Sequence, residues 1–289
     1  MLMLATEENP FPRDEHIVED HVRIRSAPVK APVYVVPLSK VMRMDYLLDP
    51  LVIPRHGKGH RLNPSEVPYR ANIFAMKKLG VEQILSVTAC GSLRAELKPC
   101  DFVLPDQFVD RTNQARKMTF FENGIVAHVG FADPVCNELR SRVFKAVLSL
   151  GFTVHDGGTY ITMEGPAFST RAESNLYRTW GMDIIGMTNM SEAKLAREAE
   201  ICYVTLAAIT DFDCWYQSAE EVTLEMVMAN FYKNVDRAKS IIKRVIREIP
   251  DIRACKCGTA LQNAIVTDRA MIPDALKKDL QPLIGKYIQ

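Results

Sequence analysis

The chain has 289 residues, is 47% hydrophobic and 25% charged, and carries a formal net charge of +1. That balance is ordinary for a globular protein and excludes the basic footprint that would mark a nucleic-acid or anionic-membrane binder. No apolar run approaches the ~20 residues of a membrane span. Met1-Leu2-Met3-Leu4 runs into Glu7 and Glu8 with no basic region ahead of it, so no secretory leader is read and a cytoplasmic protein is expected.

Residues 1–30 carry little pattern beyond a turn at Asn9-Pro10-Phe11-Pro12 and a charged stretch from Arg13 to Asp20. Val33 to Val36 and Leu51 to Ile53 read as strands. The second runs into Pro54-Arg55-His56-Gly57-Lys58-Gly59-His60-Arg61. A solvated basic turn is the plain reading. An anion loop is favoured, because glycine lets backbone amides approach an anion and Arg55 offers a planar donor fork. A helix is expected over 66–79. Gln83 to Ala89 is an apolar strand running into Cys90-Gly91-Ser92, and 101–105 holds a short strand. Thr112 to Asn123 is polar and read as a mobile loop. Asp133-Pro134 resembles an N-cap and first-turn proline, opening a helix to Leu150.

Thr159 to Met163 is β-branched or aromatic and reads as a strand, broken by Gly165-Pro166. A helix follows from Thr170 to Trp180, with Glu173 placed for a capping box. Asp183 to Met187 is a strand ending at Thr188, with a helix over 191–200. Tyr203 to Ile209 is a strand running into Thr210-Asp211-Phe212-Asp213. Val222 to Ile249 is one amphipathic helix by its apolar steps of three and four, stopped by Pro250. Residues 251–289 read as a C-terminal appendage with a short helix over 274–284. Strands alternating with helices imply a largely parallel, helix-flanked sheet. With no repeat and no linker, one domain is expected over 1–289, its first 30 residues atypical. Three strands with polar C-terminal ends point to one crevice.

Five of the seven cysteines lie in apolar stretches and read as core thiols. Cys255-Lys256-Cys257 lies in a polar segment with no further ligand at short spacing, so no metal is expected there. A local redox pair and two solvated thiols both remain open.

Met163-Glu164-Gly165-Pro166-Ala167-Phe168-Ser169-Thr170-Arg171-Ala172-Glu173-Ser174 resembles the signature of the trimeric purine nucleoside phosphorylases, with a closer match to the 5′-methylthioadenosine phosphorylase branch. Arg55-His56-Gly57, Tyr69-Arg70-Ala71-Asn72-Ile73, Thr88-Ala89-Cys90-Gly91-Ser92-Leu93, Pro105-Asp106-Gln107-Phe108, Gly186-Met187-Thr188 and Thr210-Asp211-Phe212-Asp213-Cys214 support it in family order. The resemblance implies a three-layer α/β fold around a central mixed, partly barrel-like sheet flanked by helices. It implies phosphorolysis of a purine nucleoside to free base and ribose 1-phosphate, here adenine and 5-methylthioribose 1-phosphate. Inorganic phosphate is then a co-substrate, no cofactor is needed, and the oligomer is a trimer or a dimer of trimers.

By position, Arg55, His56, Thr88 and Thr188 resemble phosphate ligands, and Thr6 stands where the family has a further hydroxyl. Ala89 and Met187 resemble ribose contacts, Phe168 the base-stacking ring and Ser169 a base-site contact. Asp211 resembles the group that protonates the leaving purine at N7, and Asp213 the acceptor for a 6-amino group. Two carboxylates there suit adenine, which donates, over a 6-oxopurine. His128 falls where the family reaches across a subunit interface toward the nucleoside 5′ end. Val222, Met226 and Val227 read equally as an apolar wall there or as core. Cys-X-Cys is similar to a motif near the C-terminus of some archaeal members, in some of which the positions of Cys136 and Cys202 are paired.

The sequence also departs from the family. A glycine-rich phosphate loop is expected after the first strand, and Ala5-Thr6-Glu7-Glu8 lacks its glycines. Ser191 replaces a proline and Ala167 a basic residue. Three readings follow: a chain starting downstream of that loop, phosphate held weakly by the remaining ligands, or a nucleoside-binding relative without catalysis. A phosphorylase for other purine nucleosides is the alternative among enzymes.

Overall fold

The computed structural model describes residues 2–5, 36–37, 51–57, 59–113, 115–216, 224–249 and 253–288. In chain order the strands and helices are β1 (Leu2–Ala5), β2 (Val36–Pro37), β3 (Leu51–Pro54), α1 (Tyr69–Lys78), β4 (Gln83–Ser92), β5 (Phe102–Leu104), β6 (Gln107–Arg111), α2 (Asn137–Ser149), β7 (Val154–Asp156), β8 (Thr159–Met163), α3 (Arg171–Thr179), β9 (Ile184–Gly186), α4 (Asn189–Glu198), β10 (Cys202–Phe212), α5 (Leu224–Ile246), α6 (Asp274–Asp279) and α7 (Gln281–Ile284).

The strands form one mixed sheet with a continuous path β2-β3-β1-β4-β10-β5-β7, from which β9, β8 and β6 branch at β4. The branch is possible because β4 shares one edge between two partners. Ile84 to Ser86 pair in parallel with β1, while Gly91 and Ser92 pair antiparallel with β9. β10 follows the other edge of β4 throughout. Strict alternation then sorts the side chains. Ile53, Ile84 and Tyr203 face a core made with α1, α4 and the C-terminal helices. Val52, Leu85 and Val204 face a second core made with α2 and α5. Cys90, Val103, Tyr160, Ile184, Ala207 and Ile209 form a third cluster shared by the two arms of the sheet, which gives the fold its partly barrel-like interior. β10 is buried on both faces from Cys202 to Thr210, as a strand between β4 and β5 requires, and it therefore reads as a near-continuous apolar run.

Several boundaries move for identifiable reasons. α1 starts after Pro68, because Glu66 is engaged in a turn with Asn63. Asp133-Pro134 does not cap α2. The Cys136 amide donates to the Tyr203 carbonyl (2.9 Å), which keeps Cys136 extended and delays the helix to Asn137. The single helix expected over 274–284 is two, α6 and α7, parted at Leu280. β6 and β7 went unread; three residues, Val154-His155-Asp156, carry no period to detect.

The loop at 112–123, expected to be mobile, is packed. Phe120 and Phe121 are buried, and the Glu198 carboxylate accepts from the Phe120 amide (2.7 Å) and the Thr119 hydroxyl (2.7 Å). Residues 253–288, read as an appendage, contribute Leu261, Leu280, Leu283 and Ile284 to the largest core cluster. Of the strand read at 33–36, Val36 lies in β2 and the rest is outside the described residues.

The capping box of α3 forms as its sequence suggests. Thr170 Oγ1 accepts from the Glu173 amide (3.2 Å), and Glu173 Oε2 accepts from the Thr170 amide (2.8 Å). Thr170→Ala is expected to lower unfolding free energy by about 1 kcal/mol, read as a shift in the urea midpoint with an unchanged slope.

Candidate functional site

β3, β4 and β10 deliver their C-terminal residues to the same end of the sheet. Arg55 follows β3 directly and is 1% exposed. Its guanidinium is bidentate on Glu192, through Nε to Oε1 and Nη2 to Oε2 (2.9 Å). Nη2 also donates to Ser86 Oγ (2.7 Å) and Nη1 to the Val87 carbonyl (3.3 Å). Glu192 Oε2 accepts further from Ser86 Oγ (2.9 Å) and Tyr203 Oη (2.9 Å). The arginine is therefore chiefly one half of a buried ion pair. A single Nη1 hydrogen is left for an anion among the described residues.

His56 is buried beside it, and its ring stacks on His60 with centroids 4.3 Å apart. Burial, reinforced by the Arg55 charge, lowers its pKa to about 4. The ring is thus neutral at pH 7. Since Nδ1 lies 2.8 Å from the Leu62 carbonyl, Nδ1 carries the hydrogen and donates. Nε2 is then a lone-pair acceptor, so it can hold only an anion that brings a proton, such as monohydrogen phosphate.

Thr88 and Thr188 are both buried. Thr88 follows Val87, the carbonyl that Arg55 grips. Thr188 immediately precedes α4, whose first turn supplies Glu192. The ion pair thus ties together the backbone next to Thr88 and the helix that follows Thr188.

The carboxylates come from β10, and a bulge places them. Ile209 stands opposite Cys90 and Asp211 opposite Gly91, so Thr210 is a surplus residue in the ladder. An unbroken strand would put Thr210 at Gly91; the bulge puts Asp211 there. Asn230 Nδ2 on α5 donates to the Thr210 carbonyl (3.0 Å), and Asn234 Nδ2 to that of Ile209 (2.8 Å). Neither asparagine is visible in an apolar helical pattern, although polar residues on a buried stripe are the signal that could have found them.

Burial raises the Asp211 pKa to about 6, against the Thr210 hydroxyl that donates to it (2.6 Å) and with help from Asp213. Asp213 is 8% exposed, and its pKa is raised chiefly by burial. Ser174 and Ser169 face its carboxyl without closing a hydrogen bond of good geometry to Oδ2. That oxygen is therefore an unused acceptor among the described residues. Gly91 lies against Asp213; a Cβ there would meet Asp213 Cβ at an ordinary 3.5 Å and crowd Ile185 Cγ2 at 3.1 Å.

The signature loop borders these carboxylates. Cys214 Sγ donates to the Ser169 carbonyl (3.3 Å), and Phe168, next to Ser169, is 84% exposed, its ring face open. Arg116, unmarked in the sequence, fixes the loop. It is buried, grips Glu164 through both its carboxylate and its carbonyl, and donates to the Met187 carbonyl. Gly165 has φ +67°, and a Cβ there would sit 2.5 Å from Met187 Sδ, so only glycine lets the loop lie on Met187.

A family model described as the Phosphorylase superfamily matches residues 15–247. The chain belongs to that superfamily. It is 57% identical over 236 residues to the S-methyl-5′-thioadenosine phosphorylase of Geobacter sulfurreducens, covering 82% of each chain. It is 54% identical over 235 residues to that of Koribacter versatilis, covering 81% of this chain and 80% of the relative. Among solved structures, a methylthioadenosine phosphorylase from an antarctic soil metagenomic library superposes with a TM-score of 0.85 at 42% identity, over 98% of both chains. The Schistosoma mansoni methylthioadenosine phosphorylase in complex with tubercidin gives 0.73 at 31% identity, covering 90% of this chain and 95% of that one. The mixed, helix-flanked α/β fold is that of these phosphorylases.

The structure thus brings Arg55, His56, Thr88, Ala89, Met187 and Thr188, and Phe168, Ser169, Asp211 and Asp213, to one end of the sheet. His128 is exposed, and its amide bonds the Ala264 carbonyl (2.8 Å), tying it to the C-terminal segment rather than to the carboxylates. Thr6 and Val222, and the side chains of Met226 and Val227, lie outside the described residues. Among the described residues no helix is long and apolar enough to cross a membrane.

Two stability predictions follow from the buried charges. Glu192→Gln strips the Arg55 guanidinium of its counter-charge and is expected to cost about 3–5 kcal/mol, measured by urea unfolding at pH 7.5. His56 is neutral when folded and takes a proton near pH 6.5 when unfolded. Between pH 6.5 and about 4 the unfolded chain therefore binds the extra proton, and stability falls as the pH is lowered. His56→Asn should remove that component, about 3 kcal/mol across the window, when unfolding free energies of the two proteins are compared as a function of pH.

Proposed function

We propose that this chain cleaves the N-glycosidic bond of 5′-methylthioadenosine with inorganic phosphate, releasing adenine and 5-methylthioribose 1-phosphate. The observation that carries the reading is the pair of carboxyls after the β10 bulge. One has a pKa near 6, and the other has a buried acceptor oxygen to spare, beside an exposed aromatic ring. The names of the Geobacter, Koribacter and Schistosoma relatives support the same activity.

The chemistry asks for these groups. As the bond to the purine breaks, C1′ becomes cationic and negative charge flows onto the base. Phosphate, held by Thr88, Thr188, the spare Arg55 donor and His56 Nε2, attacks C1′ from one side. Asp211 delivers its proton toward N7 on the other, and its raised pKa keeps part of the population protonated near neutral pH. Asp213 Oδ2 accepts from the 6-amino group, Phe168 stacks on the base, and Met187 with Ala89 lines the sugar. Phosphate is the co-substrate, and the reaction calls on no resident cofactor. The reading extends to one phosphorylase domain assembled as a homotrimer or a dimer of trimers, in which His128 reaches a neighbouring site.

The test is adenine release from methylthioadenosine, strictly dependent on phosphate, with inosine and guanosine as comparison substrates. Absence of phosphate-dependent cleavage sinks the proposal. Asp211→Asn is expected to lower kcat by roughly 10²-fold or more while moving KM little. Asp213→Asn replaces an acceptor by an amide that can also donate, and is expected to shift the ratio of kcat/KM values toward inosine by about 10-fold. Unchanged selectivity would remove Asp213 from base recognition.

A further inference from the structure

Four cysteine sulfurs meet where three separate parts of the chain converge. Cys136 immediately precedes α2, Cys202 opens β10, and Cys255 and Cys257 flank Lys256 in the C-terminal segment. All four Sγ atoms lie within 4.8 Å of one another, and those of Cys202 and Cys255 are 3.3 Å apart. Sequence spacing had argued against a metal because Cys-X-Cys brings only two ligands. The fold supplies the other two from residues 53 or more positions away.

The geometry fits a particular ion. Zinc–sulfur bonds of about 2.3 Å arranged as a tetrahedron place the sulfurs about 3.8 Å from one another. Four sulfurs mutually within 4.8 Å need only small side-chain rotations to reach that arrangement. A set of four thiolates in tetrahedral array selects zinc among the common divalent ions. The surroundings suit a dianionic centre. Arg253 Nη1 lies 3.8 Å from Cys202 Sγ, and Arg142 and Arg253 line the same cleft as three of the cysteines, Arg142 also pairing with Glu138 of that cleft and Arg253 with Glu82. Cys136 stands at the N-terminal end of the 13-residue α2, where the helix field favours a negative sulfur. Cys136 and Cys202 are buried, whereas Cys255 and Cys257 are half-buried, which leaves an entry path.

We infer that Cys136, Cys202, Cys255 and Cys257 form a structural tetrathiolate zinc site. Four Zn–S bonds form, the thiol protons leave to solvent, no electron moves, and the centre carries a net charge of −2 beside its two arginines. All four positions on the ion are filled by protein, so the site has no place for a substrate water. It lies at the opposite end of β10 from Asp211, about 30 Å away along the strand. Its effect is to fasten the C-terminal segment to the start of α2 and β10.

The experiment is metal analysis of the full chain, expressed with added zinc and purified anaerobically with a reductant and no chelator. About one zinc per chain is expected. Cobalt in its place should give the charge-transfer and strong visible bands of tetrahedral thiolate coordination. Chelation should lower Tm, and added zinc should restore it. Cys257→Ser, on a half-buried segment, should cut zinc content by about 10-fold or more, while Cys90→Ser, in a different core cluster, should retain it. If Cys257→Ser fails to fold, the cobalt spectrum of the unmodified chain decides. Zinc well below one per chain with all four thiols free overturns the inference. So does recovery of disulfide-linked peptides containing these cysteines from the reductant-purified protein.

Discussion

The fold turns on one buried ion pair. Arg55 leaves the end of β3, Glu192 sits in the first turn of α4, and the two meet over Ser86 of β4 and Tyr203 of β10. Two charges taken out of water are costly, and here the cost is offset because nearly every donor and acceptor is used. The pair does more than close a gap in the core. By gripping the Val87 carbonyl it fixes the C-terminal half of β4, which carries Thr88 and Ala89. By holding Glu192 it fixes the helix that begins just after Thr188. An arginine so placed spends nearly all its donors on Glu192, Ser86 and the Val87 carbonyl.

The same division between holding and acting recurs in the second half of the site. Arg116 binds the backbone on either side of the crevice, at Glu164 and at Met187, one of the expected ribose contacts. Asn230 and Asn234 secure the carbonyls that the bulge removes from the ladder. Preorganised geometry of this kind is what makes electrostatic catalysis effective, because the dipoles need not reorient as charge develops.

What the sequence made legible followed from local rules. The strands β4, β8 and β10 announce themselves by β-branched and apolar runs, and the cap of α3 by Thr170 and Glu173. The polar strand ends and the signature motif mark residues that the fold gathers at one end of the sheet. What stayed hidden depended on contacts between distant residues. Glu192 is one unmarked carboxylate in the helix expected over 191–200 until Arg55 is seen against it. Arg116 lies in a polar stretch that reads as a mobile loop, because its partners, Glu164 and Met187, are 48 and 71 residues away. Asp133-Pro134 is a persuasive start signal overruled by a single backbone bond from Cys136 to Tyr203. Cys255-Lys256-Cys257 stands out as a local motif, but its meeting with Cys136 and Cys202 in one cluster is set only by the fold.

The surplus residue in β10 has one more implication. Removing Thr210 outright would restore an unbroken ladder and still leave Asp211 opposite Gly91, so the carboxyl owes its address to strand pairing. Its acidity is another matter, since the Thr210 hydroxyl is the hydrogen bond that opposes burial. Where the group sits and how readily it gives up its proton are written on different residues. A substitution at Thr210 can therefore change the acidity of Asp211 while strand pairing keeps the carboxyl opposite Gly91.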